Sequence, residues 1–429
     1  VRLQTDVSGI VRGIETAQAL KPGDQHLGRL LLPAIPNAHS HVFQRLIAGR
    51  TEFQSNPTDD FWSWREAMYA CANRLSPADL YVIARHTYRE MQLAGYGQVS
   101  EFHYVHLDPS GQLYGDPAAM SKALIAAAAE VGIGLTLLPT LYLRGGFDDQ
   151  PLSARQRRFG LALDHYINMI SDLRSLEHAR LRIGIALHSL RAVSPSALAE
   201  LLNSEVARTG PIHIHIAEQQ AEVQQCMAVL GRRPIDWLFD HVEIDARWNL
   251  VHATHADTAE IQRIAASGAG VVLCPSTEAN LGDGLFALPE FLDAGGTLAI
   301  GSDSHIELDP IEELKLAEYG QRLRLQARNR CASSTQTSVA ARLLDAVLRG
   351  GQQAADLACG ELRVGGSADF IACQPAPGFE MDNAERLLDT WVFARPRGLQ
   401  QAFCAGQRVA PLAGDAFAAL RCALTQTQD

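Results

Sequence analysis

Short apolar runs that stop abruptly at polar residues alternate along this chain with longer stretches of helical periodicity, such as 77–95 and 117–131. Eight such runs stand out: 30–36, 97–102, 134–139, 181–187, 212–216, 249–251, 270–274 and 297–301. Their nearly continuous apolar character is that of strands buried on both faces. Eight alternating β and α units predict an α/β fold, a parallel (β/α)8 TIM-like barrel, over an open doubly wound sheet. Chemistry in such a barrel sits at the C-terminal ends of the strands. Gly268-Ala269-Gly270 precedes a strand instead of following one, so it reads as a turn and not as a dinucleotide fingerprint.

The barrel is assigned to residues 31–361, leaving 1–30 and 362–429 outside it. Residues 362–372 hold two short β-like runs around a Gly-rich turn, and alternation resumes at Thr390-Trp391-Val392-Phe393. The two ends are therefore predicted to pair as a small β-sandwich domain.

At 429 residues and 47% hydrophobic, the chain can bury a large core. A net charge of −11 and the absence of a basic block with interleaved aromatics argue against nucleic acid and anionic membrane as partners. Eight scattered cysteines without a CxxC pair read as reduced thiols, and no apolar signal core or spanning run is evident, so a cytoplasmic location is expected. Of 37 basic residues only Lys21, Lys122 and Lys315 are lysines.

The first run leads into His39-Ser40-His41, and residues two apart in an extended segment face the same side, so both imidazoles can reach one metal. The fifth run reads His213-Ile214-His215-Ile216-Ala217-Glu218. His213 and His215 share a face inside an apolar run, where unpartnered imidazoles are costly, and Glu218 falls just past the strand, within reach of a water or substrate. The sixth run ends at His252 and the eighth at Ser302-Asp303. His39, His41, His215 and Asp303 together make a donor set suited to one zinc ion with an open position for water. His188 follows the fourth run and faces the same mouth. His103, His106, His255 and His305 read as supporting or loop groups, and Trp62, Trp64 and Met68 as packing residues.

This pattern resembles the amidohydrolase superfamily, whose barrels carry HxH on strand one, His on strands five and six and Asp on strand eight. Binuclear members add a carboxylated lysine on strand four. Here that strand ends Ala186-Leu187-His188 with none of the three lysines nearby, which implies a mononuclear site. Finer features resemble the formimidoylglutamate deiminase family. They are Pro36-Asn37-Ala38-His39-Ser40-His41-Val42-Phe43-Gln44-Arg45, Glu101-Phe102-His103-Tyr104, Gln156-Arg157-Arg158-Phe159, His188-Ser189-Leu190-Arg191-Ala192-Val193 and the stretch from Cys274 to Gly284.

The resemblance implies zinc-dependent hydrolysis of N-formimidoyl-L-glutamate to N-formyl-L-glutamate and ammonia, a step of histidine degradation. It implies that His252 and Asp303 take the proton of the attacking water and that Glu218 shuttles a proton to the departing nitrogen. It points to Arg65 and Arg191 for the two substrate carboxylates, assisted by Gln44, Tyr104 and His188. Arginine suits the task because its planar fork binds carboxylates bidentately. A homodimer is also implied. The alternatives are a related zinc deaminase acting on a heterocycle such as guanine, which calls for stacking groups and fewer arginines, and a non-catalytic scaffold.

Overall fold

The computed structural model describes residues 1–16, 19, 21–52, 61–395, 399–414 and 416–425, with 61–63 and 399 described by backbone alone. Eight parallel strand positions form the barrel: β1 (Ile35–Ser40), β2 (Tyr96–His103), β3 (Gly134–Leu141), β4 (Leu181–Ile183 with Ile185–Leu187), β5 (Ile212–Ile216), β6 (Trp248–His252), β7 (Gly270–Leu273) and β8 (Thr297–Ile300). They follow one another around the sheet in chain order. The sheet closes at its C-terminal rim, where Asp303 N–H donates to the His39 carbonyl and His41 N–H to the Asp303 carbonyl, both at 3.0 Å. The chain therefore forms the predicted TIM-like barrel.

The helices form where capping and periodicity agree. Pro77–Ala94 starts with Ser76 and Asp79 capping one another reciprocally and ends at Gly95, whose φ of 119° suits glycine. Its buried face, including Leu80, Ile83, Ala84, Tyr88 and Met91, follows helical spacing, and the helix packs beside Ala119–Val131. Helix Val339–Ala355 closes the other end of the barrel, where Ala354 packs with Ala38, Val251, Val272, Cys274 and Ala299.

Two sheets lie outside the barrel. Arg2–Thr5 pairs with Val11–Glu15, and a four-stranded sheet runs Gln407–Arg408, Leu399–Cys404, Phe370–Gln374, Leu30–Pro33. Val11, Ala368, Phe370, Ala372 and Phe403 form the shared apolar layer of this sandwich, with the Phe370 and Phe403 rings stacked at 4.4 Å.

Three details differ from the sequence reading. The run 30–36 divides, because Leu30–Pro33 pairs antiparallel with Phe370–Gln374 while Ile35 starts β1. Residues 362–367 form no strand: Gly365 and Gly366 hold Val11 through backbone hydrogen bonds. Thr390–Ala394 is a helical turn and not a strand, and its Phe393 ring stacks on Tyr319 of helix Pro310–Leu325. Tertiary contact outweighed local alternation there. All eight cysteines are unpaired, and among the described residues no helix is long and apolar enough to cross a membrane.

Candidate active site

The ends of β1, β5 and β8 bring His39, His41, His215 and Asp303 to one point at the barrel mouth. His39 Nε2 lies 3.2 Å from His41 Nε2 and 3.0 Å from His215 Nε2. Asp303 Oδ1 lies 3.5 Å from His39 Nε2 and 3.3 Å from His41 Nε2. The tautomers of two of these rings follow from their other nitrogens: His41 Nδ1 donates to the Phe102 carbonyl at 2.8 Å and His215 Nδ1 to the His188 carbonyl at 3.1 Å. Their Nε2 lone pairs therefore face His39 and the Asp303 carboxylate in a buried space. Burial keeps the rings neutral, pulling the pKa of His39 down to about 3 and that of His215 well below its usual value. Burial opposes ionisation of Asp303, yet the adjacent His39, His41 and His252 rings hold its pKa low. Such a convergence of acceptors is satisfied by a cation: His39, His41 and Asp303 each bring a ligand atom close enough to share one, as do His39, His215 and His252, and these donors suit a divalent ion such as zinc.

The surrounding backbone is shaped for this cluster. A Cβ on Gly301 would stand 2.6 Å from His39 Cβ and 2.7 Å from its carbonyl oxygen, so only glycine lets β8 approach β1 here. Asn37 Nδ2 donates to Ser302 Oγ at 2.7 Å, and Ser302 N–H returns a bond to Asn37 Oδ1 at 3.1 Å. Glu101 accepts from Ser40 Oγ at 2.5 Å and from the Val42 amide at 2.8 Å. Ala217, His252, Ala253, Asp303 and His305 all adopt left-handed φ between 45° and 67°, a clustering of strain expected at a working site.

His252 and Glu218 stand beside the cluster. His252 Nε2 lies 3.8 Å from both Glu218 Oε1 and Asp303 Oδ2. Burial alone lowers the His252 pKa, but the charges of Glu218, Asp303 and Glu278 raise it to about 10. Burial raises that of Glu218.

All the residues expected at the substrate end line one cavity with these groups: Gln44, Arg65, Tyr104, His188 and Arg191. Gln44 Nε2 donates to the Tyr104 hydroxyl at 2.9 Å, leaving Gln44 Oε1 buried without a partner. Arg65 lies over the Tyr69 ring at 5.3 Å. Arg191 forms no ion pair among the described residues, and its Nε is buried without a hydrogen bond. Burial opposes its charge, but Glu222 and Glu218 raise its pKa.

His305 and His106 are supporting groups, bonded to Ser40 and Ser302 and to the Thr140 carbonyl respectively. His213 shares the interior face of β5 but lies deeper, against the Ala354 carbonyl at 3.0 Å. Trp64 and Met68, expected only to pack, line the cavity; the Trp62 side chain lies outside the described residues. Sequence reasoning missed Tyr69, Tyr142 and Phe159 as lining groups. Tyr69 sits one helical turn beyond Arg65 and Tyr142 directly after β3, and both spacings were readable signals.

A closed (β/α)8 barrel with a His3Asp cluster at its rim defines a metal-dependent hydrolase of the amidohydrolase type. Residues 30–409 match the amidohydrolase family, and the chain belongs to it. It is 48% identical over 396 residues to the formimidoylglutamate deiminase of Pseudomonas aeruginosa, covering 92% of this chain and 87% of that protein. An 8-oxoguanine deaminase from the same organism is 26% identical over 369 residues, covering 80% and 77%. The crystal structure of an amidohydrolase from Brucella melitensis superposes with a TM-score of 0.89 at 36% identity, covering 99% of this chain and 94% of that one.

Proposed function

We propose that this enzyme hydrolyses N-formimidoyl-L-glutamate to N-formyl-L-glutamate and ammonia. The observation that carries the reading is one cavity lined by His41, His215 and Asp303 of the candidate cation site together with Arg65 and Arg191, beside a deiminase relative at 48% identity. In this reading His39, His41, His215 and Asp303 hold one zinc ion. When bound, such an ion supplies the Lewis acidity that lets water ionise near neutral pH.

The protein groups divide the remaining work. Arg65 and Arg191 clamp the two substrate carboxylates, with Gln44, Tyr104 and His188 orienting the chain between them. His252, with Asp303, receives the proton of the attacking water, a role open to its ring once a bound cation offsets the carboxylate charges that raise its pKa. The new C–O bond forms at the formimidoyl carbon. Glu218, whose pKa is raised by burial, delivers a proton to the terminal nitrogen. That C–N bond then breaks and ammonia leaves, so one water is consumed for each ammonia released. Residues 31–361 form the catalytic domain of this reading and 1–30 with 362–429 the accessory one. The assembly is a cytoplasmic homodimer, which light scattering checks at twice the chain mass.

Trp64, Tyr69, Tyr104, Tyr142 and Phe159 also line the cavity, and such walls suit a heterocycle too. A neutral ring, however, gives two guanidiniums nothing to neutralise. Ammonia release from the zinc-loaded enzyme, compared for formimidoyl-glutamate, formimidoyl-aspartate and guanine, tests the reading. The expected order places formimidoyl-glutamate first and guanine at background; turnover of guanine alone overturns it.

A further inference from the structure

The stretch from Cys274 to Gly284 resembled the deiminase family, yet no residue of β7 lines the cavity and this stretch contributes only Leu281 to it. Its short helix Pro275–Leu281 nevertheless touches three parts of the site. Glu278 Oε1 lies 3.2 Å from His252 Nδ1 and accepts the Cys274 amide at 2.8 Å. Thr277 Oγ1 accepts the Ser304 amide at 3.2 Å, in the loop just past Asp303. Asp283 accepts from Gln219, the neighbour of Glu218. The helix is itself anchored through Ser276, whose amide and hydroxyl both donate to Glu313, at 2.8 and 2.5 Å.

From these contacts we infer that Glu278 is a positioning residue for the reaction, holding the His252 ring through Nδ1 so that its Nε2 edge faces Glu218 and Asp303. A carboxylate oxygen facing Nδ1 is an acceptor, so that nitrogen carries a proton and the bond fixes the orientation of the ring. His252 needs such a partner because its backbone gives it no choice of direction. Its φ is 67° and that of Ala253 is 49°, so the ring enters the site from a strained turn. The Cys274 amide holds the carboxylate oxygen in turn, and Glu278 is 5% exposed, so the pair is shielded from competing water. Glu278 acts through His252 and touches no substrate.

The test is a double-mutant cycle on the zinc-loaded enzyme, with kcat, KM and zinc content measured for each variant. This inference rests on the deiminase reading above. Glu278→Ala is expected to lower kcat about a hundredfold with KM held within about threefold, because the loss falls on proton transfer and not on binding. Glu278→Gln, which keeps an oxygen acceptor, recovers most of that loss. In a His252→Ala background Glu278→Ala costs nothing further. Nitrogen-15 histidine spectra, with His252 found by difference, show a hydrogen-bonded Nδ1–H in the parent and in Glu278→Gln and its loss in Glu278→Ala. Equal fractional losses in both backgrounds, or a His252 Nδ1 signal indifferent to residue 278, overturns the proposal. Should Glu278→Ala fail to fold, Glu278→Asp, one methylene short, replaces it in the cycle. A parent enzyme inert toward formimidoyl-glutamate defeats the deiminase reading instead, and the nitrogen spectra then decide the Glu278–His252 contact on their own.

Discussion

At the scale of single residues, the proposed reaction divides the residues of one cavity between holding the substrate and transforming it. Arg191 carries no ion pair among the described residues and presents a buried, unbonded Nε. A charge-assisted hydrogen bond is worth about 1.5–3 kcal/mol, so Arg191→Ala is expected to raise KM for formimidoyl-glutamate about ten- to a hundredfold. Arg191→Lys recovers only part of this because an ammonium lacks the planar fork. Steady-state kinetics check both; an unchanged KM removes Arg191 from the carboxylate cradle. The four convergent donors were legible in the sequence because strand ends carry chemistry and each donor stood within or shortly after an apolar run. Glu278 was not. A glutamate in the first turn of a helix reads as an ordinary favourable charge near the N-terminus, and only the fold brings it to His252.

At the scale of elements, the rim depends on how closely β1 and β8 approach. Gly301→Ala forces a methyl group against His39, and overpacking of this kind costs about 1–3 kcal/mol. The variant is expected to melt at a lower temperature and to bind zinc more weakly than the parent; unchanged zinc affinity contradicts the account of the rim. Between helices Pro275–Leu281 and Pro310–Leu325, burial pushes the Glu313 carboxyl up to about 8 although Ser276 hydrogen-bonds it. Its folded pKa lies above its unfolded value of about 4.5, so the folded state binds the extra proton and this contribution to stability is lost as pH rises between those values. The melting temperature of Glu313→Gln relative to the parent should therefore climb from about pH 5 to about pH 8. A flat or falling difference contradicts the burial argument. Most barrel strands were legible as largely apolar runs, whereas β1 shares only Ile35 and Pro36 with its predicted run because Leu30–Pro33 pairs in the outer sheet. The tail was less so: Thr390–Ala394 alternates like a strand, but its aromatic residues are satisfied by packing on a barrel helix instead of by a sheet.

At the scale of the whole molecule, a net negative charge coexists with a cavity that gathers both signs. The net charge of −11 belongs to the whole protein, whereas Arg65 and Arg191 line one cavity with Glu218 and Asp303. A cation held by the cluster would also be a stability element, because several acceptors face one another in the closing seam of the barrel. Removing divalent ions with a chelator is expected to lower the melting temperature and adding zinc to restore it, since a ligand bound only by the folded state stabilises it. Indifference to both treatments contradicts a metal at the His3Asp cluster. The central claim concerns which C–N bond breaks, and carbon-13 NMR of substrate labelled at the formimidoyl carbon reads it directly. The account predicts conversion of the amidine signal to that of N-formyl-L-glutamate, with one ammonia released per molecule. Release of labelled formamide and free glutamate, or a persistent amidine signal with the zinc-loaded enzyme, would contradict it.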